Sequence, residues 1–191
     1  MPDTTQTDGR RQRTVDSRAR IIQAMLDLVR EGVVIPNAEQ VAERAKVGLR
    51  SVFRHFNDMD SLFRELTNLI EIDARETFLR PVTGETAQAR LDDLIQRRSG
   101  LFERISPFQL ASLAHRAKSE FLSQDAQRQA LLLRELLKQA LTPEIVANFE
   151  RFEALDVLLS FSTWNRLRRE QGLSVDQARA VIETTTRLLL T

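Results

Sequence analysis

The sequence predicts an all-α protein of about nine helices, arranged as a small three-helix head with a helix-turn-helix and a larger helical body. Three observations carry this. Gly and Pro are scarce, at 6 and 5 of 191 residues, while Leu, Ala, Arg and Glu recur at helical spacing. Helix-start signatures also recur: Asn37 with Gln40, Thr142-Pro143-Glu144, and Ser174 with Gln177, each pairing a capping side chain with first-turn chemistry that suits it. Finally, Asn37 to Phe56 reads as two short helices parted by Lys46-Val47-Gly48, a break of the kind that joins two crossed helices.

Composition limits the functions worth considering. The net charge is +1, so any affinity for nucleic acid must come from a local patch rather than from the whole molecule. No Cys is present, which excludes disulfides, thiol catalysis and thiolate metal sites, and fits a reducing compartment. No apolar run approaches the roughly 20 residues needed to span a bilayer, and the basic N-terminus leads into no signal-type apolar region. The expectation is a cytoplasmic protein without a membrane segment. The two histidines, His55 and His115, belong to no HExxH helix, and there is no Gly-rich phosphate loop. Neither catalytic residues, nor a metal site, nor a cofactor is expected.

Taken in order, residues 1–14 are polar and end in Arg10, Arg11 and Arg13, which predicts a flexible basic arm able to lie along a nucleic-acid backbone or enter a minor groove. The plainer reading of the arm is a solubilising tail. Helix 1 should run from Asp16 or Ser17 to Glu31, with Ile21, Met25, Leu28 and Val29 facing inward and Gly32 closing it. Val33 to Pro36 is an extended link. Val41 and Ala45 then give the first short helix an apolar face, and Val52 and Phe56 do the same for the second. Gly48 is the residue suited to a positive φ in the turn.

Arg50 and Arg54 fall opposite Val52 and Phe56 on the helical wheel. Between Arg44 and Asn57 lie four positive charges, on Arg44, Lys46, Arg50 and Arg54, and no carboxylate. A short cationic helix propped on another suits a DNA major groove and its phosphate rims. The candidate DNA-binding residues are therefore Asn37, Lys46, Leu49, Arg50, Ser51, Phe53, Arg54 and His55, together with Arg10, Arg11 and Arg13 of the arm. The alternative is that this helix face is merely solvated.

Residues 15–58 thus form the expected helix-turn-helix domain, and 59–191 the body. A linking helix over 59–80 carries apolar residues on more than one stripe, Leu62, Phe63, Leu66, Leu69, Ile70 and Ile72. Pro81 to Gly84 breaks it. Helix 5 should span Glu85 to Ile105, and helix 6 should begin at Pro107 with Ser106 as its cap. Helix 7 starts at Asp125 and offers Leu131, Leu132, Leu136, Leu137 and Leu141 as core. Helix 8 runs from Pro143 to Glu170, stopped by Gly172, and is apolar on most sides. Ala178, Ile182, Thr185 and Leu189 mark the inward face of helix 9.

The segments RARIIQAMLDLVREG, AKVGLRSVFRHF and NDMDSLFREL resemble the N-terminal third of the tetracycline-repressor (TetR) family of transcriptional regulators. The resemblance implies a ligand-responsive regulator, most naturally a repressor, that binds a pseudo-palindromic double-stranded DNA operator as a homodimer. It also implies a body that binds an effector and dimerises through the last two helices, about 143–190. Helix count and order point to the same pair for a four-helix interface. Phe102, Phe108, His115, Phe121, Phe152, Asp156 and Trp164 are the candidate pocket residues; no effector is identified.

This sequence departs from the family pattern at three places. Phe53 stands where Tyr is usual, Met59 where Lys is usual, and Gly48 where Ser or Thr commonly caps the second helix. Two phosphate contacts are thereby removed. The alternative function is a helical protein-interaction module whose head has lost DNA binding.

Overall fold

The computed structural model describes residues 4–190, with side chains described except at 4–13, Asp73, Glu76, Phe78 and Leu79. It is all-α: the described residues form ten α-helices and no strand. They are α1 Thr4–Arg30, α2 Ala38–Ala45, α3 Leu49–His55, α4 Met59–Leu79, α5 Ala87–His115, α6 Glu120–Ala140, α7 Pro143–Ala147, α8 Phe149–Leu158, α9 Phe161–Asn165 and α10 Val175–Leu190. A 3-10 turn, Arg116–Lys118, precedes α6, and a π-helical turn, Arg166–Glu170, follows α9.

Two compact units divide the chain. The first comprises Met1–Glu71 and Pro107–Gln124, the second Ile72–Ser106 and Asp125–Thr191. The first unit therefore extends past the head expected at residues 15–58, taking in much of α4 and a distant return of the chain.

Its core follows the apolar spacing closely. Ile21, Met25, Leu28 and Val29 of α1 pack with Val41 and Ala45 of α2, Val52 and Phe56 around α3, and Leu62, Phe63 and Leu66 of α4. Phe108, Ala111 and Leu122 complete the cluster from the returning segment. Each Val, Leu, Ile, Met or Phe side chain of this set withdrawn from water contributes about 1.5–3 kcal/mol. Gly32 adopts φ 94° and ends α1, its N–H donating to the Val29 carbonyl at 3.0 Å, as a C-terminal glycine should.

Several expected boundaries are corrected. Helix α1 begins at Thr4 rather than near Asp16, so the segment expected as a flexible arm enters a helix. Gln6, Arg10, Arg11, Gln12 and Arg13 are good helix formers, and propagation from an established helix costs little. Pro107 does not open a helix but sits inside α5, and Ser106 is an interior residue rather than a cap. An interior proline costs about 3 kcal/mol. Burial of Leu101, Phe102 and Ile105 before it, and of Phe108 and Ala111 after it, offsets that loss.

Helix α6 starts at Glu120 rather than Asp125, because the Ser119 hydroxyl accepts the Leu122 N–H at 3.1 Å. Leu131 and Leu132, expected in the core, are exposed, at 64% and 44%, while Leu136, Leu137 and Leu141 are buried. The long helix expected from Pro143 to Glu170 is broken into α7, α8, α9 and the π-helical turn. Asn148 caps α8 by accepting the Arg151 N–H at 3.0 Å, and Ser160 caps α9 by accepting the Thr163 N–H at 3.2 Å. Local side-chain acceptors thus compete with continuation of the helix. Helix α10 keeps its expected capping box: Ser174 N–H donates to Gln177 Oε1 at 2.8 Å, and Gln177 N–H to Ser174 Oγ at 3.2 Å. Gly172, at φ 68°, provides the turn before it.

Candidate nucleic-acid interface

The two helices of the candidate interface are fixed by short-range chemistry. Asn37 Oδ1 accepts the Gln40 N–H at 2.8 Å, and Gln40 Oε1 accepts the Asn37 N–H at 3.0 Å, which closes a capping box at the start of α2. Asn37 is thereby committed through its oxygen to a structural bond. The turn to α3 takes its left-handed residue at Lys46, with φ 54° and ψ 47°, and not at Gly48. Gly48 is extended, at φ −70° and ψ 147°, and stands at the N-cap of α3 with no side chain to cap it. A Cβ there would meet nothing within 4 Å.

Helix α3 presents two unlike faces. Val52 is buried within it, and Phe56, its C-cap, is buried beyond it. Leu49, Arg50, Phe53 and Arg54 are exposed, and Ser51 is half-buried. The side chains of Lys46, Arg50 and Arg54 have no ion-pair partner among the described residues. Arg44 is different. Its guanidinium grips Glu31 at the end of α1 through two bonds of 2.7 Å, which holds the Glu31 carboxyl below its ordinary range and raises Arg44. The four positive charges counted along this stretch are thus three uncompensated ones and one clamp. That clamp joins the end of α1 to α2.

His55 is not on the outward face. It is half-buried, and its Nε2 is enclosed without a hydrogen-bond partner among the described residues. Burial, then the charges of Arg54 and Arg18, lower its pKa below the ordinary imidazole value of 6.5, so the ring is neutral at physiological pH. Arg18 stands over the Phe56 ring at 5.2 Å and pairs with Glu65 at 2.6 Å; it supports α3 from behind and had no marker in the sequence. The side chains of Arg10, Arg11 and Arg13 lie outside the described residues.

The candidate pocket residues are divided between the two units. Phe108, His115 and Phe121 belong to the first unit. Arg30 lies 6.0 Å from the centre of the Phe108 ring and Arg64 4.0 Å from that of Phe121, while His115 stacks on Phe63 at 4.9 Å with its Nε2 3.5 Å from Asp60. Phe102, Phe152, Asp156 and Trp164 belong to the second unit. There Asp156 accepts from Arg134 at 2.7 Å, and the same guanidinium lies 4.8 Å from the centre of the Phe152 ring. Trp164 Nε1–H donates to Glu103 at 2.8 Å, and Phe102 meets Phe161 edge to face at 5.6 Å.

Phe102 and Trp164 line a cavity in the second unit. It is completed by Ile95, Arg98, Ser99, Leu159, Ser160 and Ile182. Arg98 is not among the seven candidate pocket residues, although it occupies the buried phase of the stripe Leu91, Leu94, Ile95, Leu101 and Phe102 on α5. No cluster of three or more His, Asp or Glu able to hold a metal occurs among the described residues. No described helix is long and apolar enough to cross a membrane.

These features define an all-helical chain with a helix-turn-helix whose second helix is outwardly cationic. No protein-family model matches the chain, and no curated protein matches it. Among solved structures it is similar to a TetR transcriptional regulator from Rhodococcus sp. RHA1, with a TM-score of 0.53 and 19% sequence identity, over 94% of this chain and 97% of that one. The chain has a TetR-like fold. At this identity the likeness speaks for architecture alone.

Proposed function

We propose that this protein is a DNA-binding transcriptional regulator, acting as a ligand-responsive repressor on a pseudo-palindromic operator. One observation carries the reading: α3 exposes Arg50 and Arg54 without a carboxylate partner, beside Lys46 at the turn, while the apolar residues Val52 and Phe56 anchor the segment from within. Guanidinium groups free of internal ion pairs are available for phosphate oxygens and for the acceptor edge of guanine. The TetR-like fold adds support. Residues 15–58 act as the head in this reading, Arg10, Arg11 and Arg13 extend its contacts, and 59–191 serve as the body of a cytoplasmic, non-enzymatic protein.

Dimerisation through about 143–190 would place two copies of α3 on major grooves about 34–36 Å apart, or a multiple of that. Exposed Phe149, Val157, Val181 and Leu188 in α8 and α10 are the apolar surface available for it. An effector that favours one conformation of the body over another would release the operator in proportion to that preference.

Fluorescence anisotropy with DNA from upstream of the protein's own gene, against scrambled DNA and across a salt series, tests the reading. The expected result is preferential binding by two chains per site. Replacing both Arg50 and Arg54 with Ala should weaken it by about a hundredfold or more, each base contact contributing about 1–3 kcal/mol. Unchanged specific binding in the double variant would exclude α3 as the reading helix.

A second reading, an interaction module with a degenerate head, is favoured by the 50% exposure of Phe53. It predicts weak DNA binding with no preference between the two sequences.

A further inference from the structure

Helix α6 buries Leu136, Leu137 and Ala140 and turns a different stripe to solvent. Arg128, Leu131, Leu132 and Glu135 follow one another at i, i+3, i+4 and i+7, the spacing of a single helix face, and all four are exposed. The two leucines at the middle of the stripe are 64% and 44% exposed. Adjacent leucines flanked by opposite charges are what a weak helix–helix contact is made of.

The order of residues along the stripe is self-complementary. A two-fold axis passing between Leu131 and Leu132, perpendicular to α6, sets each leucine against the other one of a second copy. The same axis sets Arg128 against Glu135 at both ends, so one patch serves both subunits. Charges already paired along the helix extend the match. Arg128 pairs with Asp125, and Lys138 with Glu135 at 2.6 Å. Across the axis the groups therefore run Asp125, Arg128, then Glu135 and Lys138 of the second copy, alternating in sign. A parallel pairing would instead oppose Arg128 to Arg128 and Glu135 to Glu135, a like-charge arrangement that disfavours it. The charges thus select both the occupant and its direction.

We propose that α6 carries a docking surface for a second copy of this chain, antiparallel, with Leu131 and Leu132 at its centre and Arg128 facing Glu135 on either side. The surface lies outside residues 143–190, where dimerisation is proposed above, and it requires neither DNA nor an effector. Four central residues a side are few beside the roughly 20–30 of a standard interface. The contact is accordingly weak, and it joins copies at high protein concentration or when another interaction brings them near.

The chain has no Cys, so single cysteines in the full chain report the pairing without background. Leu132→Cys stands beside the axis and should form an inter-chain disulfide on mild oxidation. Gln139 is exposed on the same face, but at 1.5 Å per residue it lies about 11 Å from the axis, so its two copies stand roughly 22 Å apart in an antiparallel pair. Gln139→Cys should not cross-link, since a disulfide needs Cα atoms within about 7 Å.

Sedimentation equilibrium over a concentration series gives the second arm. Arg128→Glu and Glu135→Arg each set like charges together twice and should weaken association at least tenfold. The double variant carrying both changes opposes unlike charges again and should return to within about threefold of the unaltered chain, with folding of all three checked by circular dichroism. Should Arg128→Glu fail to fold beside the buried Asp125, the cross-linking arm, which leaves both charges in place, still decides.

Equal cross-linking at the two positions would overturn the antiparallel arrangement, and none at Leu132→Cys would overturn the surface. Association unchanged by either charge reversal belongs to another face, such as residues 143–190, and overturns the proposal as well. A double variant no better than the single ones would remove the pairing of Arg128 with Glu135. Failure of the chain to bind DNA has no bearing on these outcomes, just as their failure would leave the regulator reading standing.

Discussion

In the second compact unit, Arg134 is held by Glu153 at 2.5 Å and Asp156 at 2.7 Å, and Arg168 by Glu103 at 2.9 Å. In the first, Arg50 and Arg54 of α3 meet no carboxylate at all among the described residues. The side-chain type is the same, and the difference lies in what surrounds it. An arginine locked to acids on a neighbouring helix has its donors committed and works as a fastener. One left without partners on a helix whose other face is buried has all five donors available. Charge counted along the sequence cannot tell these apart, and Arg44, counted with the second kind, proves to be of the first.

The comparison can be broken in the body first, where the largest effect is expected. Glu103→Ala removes the acceptor of the buried Trp164 N–H and the partner of Arg168. A loss of about 1–3 kcal/mol should follow, toward the lower end because water reaches the exposed edge of Glu103. Urea denaturation measures it, and a shift of Trp164 emission should accompany it. By contrast, Arg50→Ala and Arg54→Ala should each leave stability within about 0.5 kcal/mol while impairing DNA binding. Equal losses of stability at the two kinds of site would erase the distinction.

The turn offers a smaller effect of opposite sign. Lys46 holds a left-handed conformation that costs a residue with a Cβ about 1 kcal/mol or more, so Lys46→Gly should raise stability by up to that amount, part of it being given back through the entropy of the unfolded chain. Its DNA affinity should nevertheless fall, with a shallower salt dependence. Gly48→Ser should add only a few tenths of a kcal/mol, by capping α3 in open space.

Acid should weaken the first unit through His55. Its folded pKa lies below 6.5, so the unfolded chain binds the proton more readily. Stability is then fully present above about 6.5 and declines as the pH falls from there through the folded value. His55→Gln should flatten this slope in a plot of Tm against pH.

The head was legible because its signals are local. Asn37 and Gln40 close their own capping box, Gly32 ends α1, and the burial of Val52 and Phe56 against the exposure of Arg50 and Arg54 follows from a 3.6-residue repeat alone. Even there, the turn resolved on Lys46 rather than Gly48, since one left-handed residue suffices and its neighbour can stay extended. The body was less legible because its boundaries are decided by tertiary packing. Pro107 reads as a start and is overridden by burial on both sides of it. Asn148, which ends α7 and starts α8, and Ser160, which starts α9, are unremarkable polar residues in an apolar run. Leu131, Leu132, Leu136 and Leu137 cannot all face one way on a helix, and spacing alone does not say which pair is turned to solvent. Arg98 escaped notice for the same reason: a charge in a buried phase means nothing until the surroundings that leave it unpaired are known.

The first unit is assembled from two pieces of chain, Met1–Glu71 and Pro107–Gln124, and Phe108, Ala111 and Leu122 of the second piece belong to its core cluster. A chain emerging from the ribosome therefore cannot complete its N-terminal core when that end appears. Residues through Leu122 must first be synthesised, so α1 to α3 wait with part of their apolar surface uncovered during translation of the intervening segment. A gene fragment ending near residue 71 would hold the nascent protein at that stage permanently, which makes the head a poor piece to express by itself.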